Sequence, residues 1–219
     1  MLKITVSLKT PVILSPDAHL TLDSVLHHIL TEKLGGAQAA LSAMPLEKVG
    51  SVFAASAAFF PKSAGYVFTP FTSGLRGDMD AGTRLFAPNG NRGKNWRPFT
   101  TKRNDDGVKP SADSYQSIDS PYLVWYANGD YDEIGELLSI PIGLGKRANS
   151  GAGEIDAVII EPEDDFSVVL PDGTPARPVP VEEWKGRACP RIEEVACVPP
   201  YFSSGARKCV MHMSRFIDV

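Results

Sequence analysis

Residues 143–153 read Gly-Leu-Gly-Lys-Arg-Ala-Asn-Ser-Gly-Ala-Gly, and a strand-like run from Glu154 to Ile160 follows them. The glycines permit close approach of the backbone to a neighbour because they lack a Cβ atom. Lys146 and Arg147 lie between them, so the expected neighbour is an anion. No other segment of the chain has a composition that indicates so specific a chemistry.

Two familiar phosphate-binding motifs do not fit this loop. A Walker A motif requires Gly-Lys-Ser/Thr at the start of a helix, and no such tripeptide occurs. A dinucleotide fingerprint follows a strand and precedes a helix, whereas here the third glycine is absent and the order is reversed. Two interpretations remain. One is a basic loop that binds a polyphosphate backbone through its amides and cations; the other is a helix-to-strand turn with incidental charge.

The composition indicates an ordinary folded protein. The chain has 219 residues, 43% of them hydrophobic and 22% charged, which suits one large domain over 1–219. No apolar run of about 18 residues predicts a membrane span, and the N-terminus does not resemble a signal peptide, so we expect a cytoplasmic protein with no membrane partner. The net charge of −4 argues against a free-standing nucleic-acid binder.

The cysteines and histidines do not identify a metal or catalytic site. Cys189, Cys197 and Cys209 are odd in number and widely spaced, which indicates free thiols, although Cys209 and His212 are spaced as half of a metal site. We therefore expect neither a metal nor a cofactor. The spacing places the adjacent histidines 27 and 28 on the polar side of a helix, and His19 before it; none has the partners of a general base, and solvated or structural roles are favoured.

Hydrophobic periodicity predicts an α+β fold. Alternation over residues 2–8 predicts a strand, and apolar residues at helical spacing from Leu22 predict a helix with Thr21 as N-cap and Gly35 as its end. The later elements are a hairpin formed by 49–60 and 66–71, a strand over 122–126, a helix over 131–138, a strand over 154–160 and a C-terminal β excursion over 162–219. Without an insertion at 74–118, this order approximates the ferredoxin-like or RRM-like β-α-β-β-α-β plan.

The insertion at 74–118 is predicted to be a β-hairpin or irregular arm. Basic residues alternate there with Trp96 and Phe99, a pattern that suits single-stranded nucleic acid because cations contact phosphates and rings stack on bases. The alternative is a solvated loop held by the same two aromatic residues. The candidate RNA-binding residues of the arm are Arg76, Arg84, Arg92, Lys94, Trp96, Arg97, Lys102 and Arg103.

The loop and the opening strand resemble those of the RAMP proteins of CRISPR systems. In that family a Gly-[basic]-x-x-Ser-x-Gly-x-Gly loop leads into the last strand of a ferredoxin-like fold, and residues 145–153 match this pattern. Residues 19–26, His-Leu-Thr-Leu-Asp-Ser-Val-Leu, resemble the first helix start of many RAMP subunits. With the Pro-Pro-Tyr-Phe segment at 199–202, the chain is most similar to the Cas-five-type handle-capping subunits of type IV effector complexes.

This resemblance implies a non-catalytic subunit that binds the 5′ handle of a guide crRNA in a ribonucleoprotein for antiviral defence. Its partners would be a Cas-seven-type backbone subunit, a large-subunit-like protein and target DNA near the PAM side, and the 74–118 arm would be a thumb. In the loop, the resemblance assigns RNA binding to Gly143, Gly145, Lys146, Arg147, Asn149, Ser150, Gly151 and Gly153.

Two other hypotheses remain open at the level of sequence. The first is a metal-independent RAMP endoribonuclease that processes CRISPR repeat RNA, with His19 as the candidate acid or base. The second is an α+β enzyme whose glycine loop binds a phosphorylated small molecule, which the sequence pI of about 5.6 favours.

Overall fold

The computed structural model describes residues 1–15, 18–73, 111–163, 168–187, 191–212 and 214–218, and it is a mixed α+β structure. The described helices are α1 (Leu22–Leu34), α2 (Ala37–Ser42) and α3 (Tyr131–Leu138). The described strands are β1 (Leu2–Leu8), β2 (Val12–Ile13), β3 (Lys48–Val49), β4 (Val52–Phe53), β5 (Phe60–Pro61), β6 (Gly65–Ser73), β7 (Ser111–Asp119), β8 (Tyr122–Ala127), β9 (Ile155–Pro162), β10 (Val179–Pro180), β11 (Ile192–Val195), β12 (Arg207–Val210) and β13 (Phe216–Ile217).

The chain divides into two compact units, one formed by Met1–Val67 with Gln116–Val219 and the other by Phe68–Tyr115. In the second unit, the described residues belong to strands β6 and β7, and the rings of Phe71 and Tyr115 lie 5.8 Å apart in an edge-to-face arrangement. The candidate arm residues from Arg76 to Arg103 lie outside the described residues.

The central sheet has β1 in the middle, with β8 and β9 paired antiparallel on its two sides. The alternation in β1 explains this position, because Leu2, Ile4 and Val6 are buried on one face. Residues 54–59 continue the sheet beyond β8. The amide of Ser56 donates to Tyr126, and the amide of Phe59 donates to Val124. The resulting order is β9–β1–β8–(54–59), with antiparallel neighbours throughout.

Two helices pack on the buried face of this sheet and complete the main hydrophobic core. α1 begins after Thr21 and ends at Gly35, whose φ of 72° is the left-handed conformation that glycine favours, so its predicted bounds are confirmed. α3 is also confirmed over 131–138, and the Asp130 side chain caps it by accepting from the Glu133 amide at 2.9 Å.

The C-terminal segment crosses the opposite face of the sheet and adds small β elements. Ala176 packs there against Phe59, Val124 and Tyr126, all of which are buried. Beyond it, β10, β12 and β11 form an antiparallel sheet, and β13 pairs parallel with β5.

The predicted hairpin between 49–60 and 66–71 is wrong. β5 pairs with β13 rather than with β6, and β6 pairs with β7, which also pairs with β2. The reason is that residues 54–59 pair with β8 and therefore cannot pair with β6. The chain after Pro61 forms a separate pair of strands, β6 and β7. Within the insertion predicted to be a β-hairpin or irregular arm, the described residues 111–118 belong to a regular strand, β7, which pairs with β6.

Candidate functional site

The loop at 143–153 connects α3 to β9 and is closed on itself by backbone hydrogen bonds. Gly143 forms an antiparallel bridge with Glu154, and the amide of Leu144 donates to the carbonyl of Gly153 at 2.9 Å. The Leu144 side chain is 1% exposed and belongs to the main core. The loop is therefore fixed at both its ends and its interior apolar residue.

The same loop is bound to the bend between β1 and β2. The Lys146 amide donates to the carbonyl of Ile13 at 2.9 Å, and the Gly153 amide donates to Pro11 at 3.0 Å. The Thr10 hydroxyl donates to the carbonyl of Gly151 and accepts from the amide of Glu154. Since both segments are held by several hydrogen bonds, the loop has a defined shape without any ligand.

The glycines serve this internal packing, which corrects the expectation that they admit an external anion. Gly145 has a φ of 81°, and an added Cβ would collide with the carbonyl oxygen of Ile13. Gly153 has a φ of 62°, and its added Cβ would collide with the carbonyl of Leu144. Gly151, with a φ of 90°, has open space at the Cβ position, so only its conformation requires glycine.

Four polar side chains lie exposed on this fixed backbone: Lys146, Arg147, Asn149 and Ser150. Asn149 and Ser150 belong to a single 3-10 turn over Ala148–Ser150, and Arg147 before it has a φ of 59°, a left-handed conformation that costs a non-glycine residue about 1 kcal/mol. Of the predicted loop glycines, Gly145 and Gly151 are also exposed, whereas Gly143 is half-buried and Gly153 is buried.

Six of the loop amides cannot contribute to the predicted anion-binding cradle. Those of Leu144, Lys146, Ser150, Gly151, Ala152 and Gly153 all donate to carbonyl oxygens of the chain. An anion bound here would rely on the exposed side chains as well as on the remaining amides.

Acidic residues beside the loop are paired. Lys9 lies 3.2 Å from Glu154 and 3.7 Å from Asp156, and all three side chains are about half exposed. The hydrogen bond with Glu154 raises the pKa of Lys9, so the lysine stays charged and balances the first acids of β9.

β2 connects the loop to β7, the strand by which the chain returns from the insertion. Ile13 forms a parallel bridge with Gly145, while Val12 and Ile13 pair with Ile118 and Ser117 of β7. The glycine loop and the 116–119 end of β7 are therefore neighbours of the same two residues.

The sheet surface does not provide the stacking platform of an RRM-type protein at β8. Val124 is 1% exposed and Tyr126 is 5% exposed, because the C-terminal segment covers them. Bases cannot stack on these residues, so the exposed loop is the candidate binding surface in the described residues of the first unit.

A buried ionic cluster, which the sequence did not reveal, joins α1 to the C-terminal segment. The side chains of Arg177 and Asp23 are both 0% exposed, and their charged atoms are 3.0 Å apart. The guanidinium donates to five oxygen atoms at 2.7–3.2 Å, those of the Phe53, Ala55 and Cys197 carbonyls, the Asp23 carboxylate and the Tyr201 hydroxyl.

Tyr201 completes this cluster. Its hydroxyl contacts both carboxylate oxygens of Asp23 and lies 2.8 Å from the Thr21 hydroxyl. Burial raises the pKa of Tyr201 well above its usual range, so the phenol remains protonated. Asp23 lies in the first turn of α1. No short-range pattern links it to Arg177, which lies in a proline-rich segment 154 positions later.

The histidines occupy structural positions. His19 and His212 form an edge-to-face ring pair with centroids 4.9 Å apart, and both ring nitrogens of His19 are shielded from solvent. Burial, with a smaller effect of His19, lowers the pKa of His212 to about 3. His28 is exposed, but the prediction for His27 was wrong: it is 7% exposed, and its Nε2 lies 3.2 Å from the carbonyl of Ala37 because α2 covers this side of α1.

Cys197 and Cys209 are buried free thiols, and Cys189 lies outside the described residues. The neighbouring Cys209 lowers the pKa of the Cys197 thiol. Within the described parts of the chain, no group of three or more His, Cys, Asp and Glu residues is arranged to hold a metal ion.

The described helices also include none that is both long and apolar enough to cross a membrane.

Comparison with known proteins identifies no relative: neither a protein-family model nor a curated protein matches the chain. The function is therefore inferred from the residues themselves.

Proposed function

We propose that this protein is a non-catalytic RNA-binding subunit of the CRISPR RAMP type, the handle-capping third Csf subunit of a type IV effector complex. The observation that carries the proposal is the loop at 143–153. Lys146, Arg147, Asn149 and Ser150 are all exposed there on a backbone that the β1–β2 bend holds in place. Successive polar side chains of this kind suit the phosphates of an extended RNA strand.

The strand order supports a ferredoxin-like core for this subunit. β1, α1, the 54–59 segment, β8, α3 and β9 follow one another as β-α-β-β-α-β, with β1 and β8 central and both helices on one face. β6 and β7 lie between the second and third of these strands, where a thumb would be inserted. The loop precedes the last strand, as the RAMP pattern requires.

The occupied loop amides favour RNA over a phosphorylated small molecule. Nucleotide-binding loops enclose phosphate with free amides, whereas six amides of this loop already donate within the chain. The proposed ligand is the 5′ handle of a crRNA. The proposed protein partners are a Cas-seven-type backbone subunit and a large-subunit-like protein, with target DNA near the PAM side, in the cytoplasm.

His19, the candidate acid or base, and its neighbour His212 give no support to the endoribonuclease hypothesis. A general base must reach the 2′-hydroxyl of its substrate, but the nitrogens of His19 are shielded, and His212 is 5% exposed. The subunit is therefore proposed to bind RNA without cleaving it.

The test is to purify the tagged full-length chain from cells that also produce its complex, and to sequence the RNA that accompanies it. We expect guide RNAs with a uniform 5′ end. Lys146→Ala/Arg147→Ala should reduce the retained RNA at least tenfold. The number of phosphate contacts inferred from the salt dependence of binding should fall by about two.

The control variant is Lys33→Ala/Lys62→Ala, which removes two exposed lysines outside the loop and should retain RNA like the wild type. Absence of RNA from the wild-type complex, or equal retention by both variants, would contradict the proposal. Cleavage of repeat RNA by the isolated chain in EDTA would favour the endoribonuclease instead.

A further inference from the structure

The second notable surface of the first unit is the outer edge of β9. The central sheet ends at this strand, and among the described residues no strand pairs with its outer side. The amide of Glu163 donates to the carbonyl of Met1 at 2.9 Å. In this antiparallel register, the backbone N–H and C=O groups of the odd-numbered residues in the regular part of β9 therefore point toward β1. Val158 and Ile160 therefore direct their backbone N–H and C=O groups toward the open edge.

A groove of about 550 Å3 lies along this edge, between β9 and α3. Its apolar lining residues include Leu138, Ile155, Val158 and Ile160. The three that belong to β9 are only partly buried. On the opposite face of the same strand, Ile159 is 53% exposed. An extended segment placed in the groove would thus find both unpaired backbone groups and apolar contacts.

The charge of the groove is negative. Asp132 and Asp156 line it and are exposed, and none of its described lining residues is a lysine or arginine. Glu136 on α3 and Glu161 on β9 are also exposed nearby in sequence. The nearest described cation is Lys9, which is 3.7 Å from Asp156 and is shared with Glu154.

We propose that this edge is a docking site for an extended, basic segment of a partner protein, which adds to the sheet as a strand beside β9. Backbone hydrogen bonds to Val158 and Ile160 would supply the pairing. On the face of the segment that enters the groove, apolar side chains would contact the apolar lining, and a lysine or arginine on that same face would meet Asp132 and Asp156. Nucleic acid and a second copy of this chain are both disfavoured, because each would bring negative charge to an acidic edge. The site lies on β9 and α3 rather than on the loop cations, so its failure and the failure of RNA binding are separable.

The first test uses the full-length chain and a fluorescein-labelled seven-residue peptide, Val-Thr-Lys-Thr-Val-Thr-Lys, which places valine and lysine in turn on one face. We expect it to bind at least tenfold more tightly than the same peptide with glutamate in place of lysine. Asp132→Lys/Asp156→Lys should reverse this preference, whereas Glu32→Lys/Glu47→Lys, which changes two exposed acids outside the groove, should not. Equal binding of the two peptides, or no reversal by a folded variant, would overturn the proposal.

The second test measures amide hydrogen exchange of the wild type by NMR. Without peptide, the amides of Val158 and Ile160 should exchange rapidly and that of Ile159 slowly. The basic peptide should slow the first two at least tenfold and leave Ile159 unchanged. Slow exchange at all three before peptide is added would show that the chain covers its own edge. Protection that rises with protein concentration would identify a second copy, and protection by an RNA oligonucleotide would identify nucleic acid; each result would overturn the proposal.

Discussion

Arg147 and Arg177 show two opposite uses of the same side chain. Arg177 is fully buried and contacts five oxygen atoms, so it joins the N-terminal helix to the C-terminal segment. Arg147 lies exposed on a loop whose shape depends on backbone hydrogen bonds. The comparison indicates that the buried cluster stabilises the fold, whereas the loop cations, which we propose bind RNA, should have little effect on stability.

The largest expected effect is the loss of the buried guanidinium. Arg177→Met should lower the free energy of unfolding by about 3–5 kcal/mol, because the Asp23 carboxylate then remains buried without its partner. Urea denaturation measures the change. The control is Arg187→Met, an exposed arginine of the same segment, which should change stability by less than about 0.5 kcal/mol. Similar small losses of stability in both variants would contradict a stabilising role for the buried cluster.

The next effect concerns pH and the buried His212. Its pKa is about 3 in the folded protein against 6.5 for the free side chain, so the unfolded chain binds a proton that the folded protein does not. Stability is therefore complete above pH 6.5 and falls by about 1 kcal/mol per pH unit as the pH decreases toward 3. Chemical denaturation from pH 7 to 4 measures this slope.

The control for this prediction is His212→Leu, which should have a shallower slope than the wild type over the same range. Parallel pH profiles for the two proteins would show that His212 does not titrate in this way.

Glycine substitutions in the loop separate close contact from backbone conformation. Gly145→Ala should lower the free energy of unfolding by about 1–3 kcal/mol, because the new Cβ collides with the carbonyl of Ile13 and the φ is unfavourable for alanine. Gly151→Ala meets open space and should cost about 1 kcal/mol from its φ alone. Thermal unfolding compares the two. A larger loss for Gly151→Ala would contradict the internal role assigned to Gly145.

The smallest stability change is expected for the loop cations. Lys146→Ala/Arg147→Ala should alter the free energy of unfolding by less than about 0.5 kcal/mol, since both side chains are exposed. Urea denaturation and the RNA-retention measurement on this one variant test its stability and its RNA binding separately. Loss of stability comparable to that of Arg177→Met would assign these residues to the fold.

Local patterns predicted the elements whose causes are local. Alternation identified β1, and helical spacing with Gly35 identified both ends of α1, because these signals lie within the element itself. The loop was also located from its composition, and its polar side chains do lie together on the surface. The identity of the ligand remains a prediction.

The features that sequence did not predict depend on long separations. β5 finds its partner in β13, at the other end of the chain, and a two-residue strand has no periodicity to detect. Asp23 and Arg177 are each unremarkable in their own segments. The internal role of the loop glycines was also hidden, because it requires knowing that Ile13 lies against Gly145.

The pairing of Asp23 with Arg177 has a consequence for synthesis of the chain. When the ribosome has completed α1 and the 54–59 segment, the guanidinium that neutralises Asp23 is still untranslated, and so are β8, α3 and β9. The nascent N-terminal third holds a carboxylate and an apolar surface with no partners. Burial of Asp23 with its partner must therefore wait until Arg177 has been synthesised, and C-terminal truncations that remove Arg177 should yield chains that require chaperones rather than smaller stable domains.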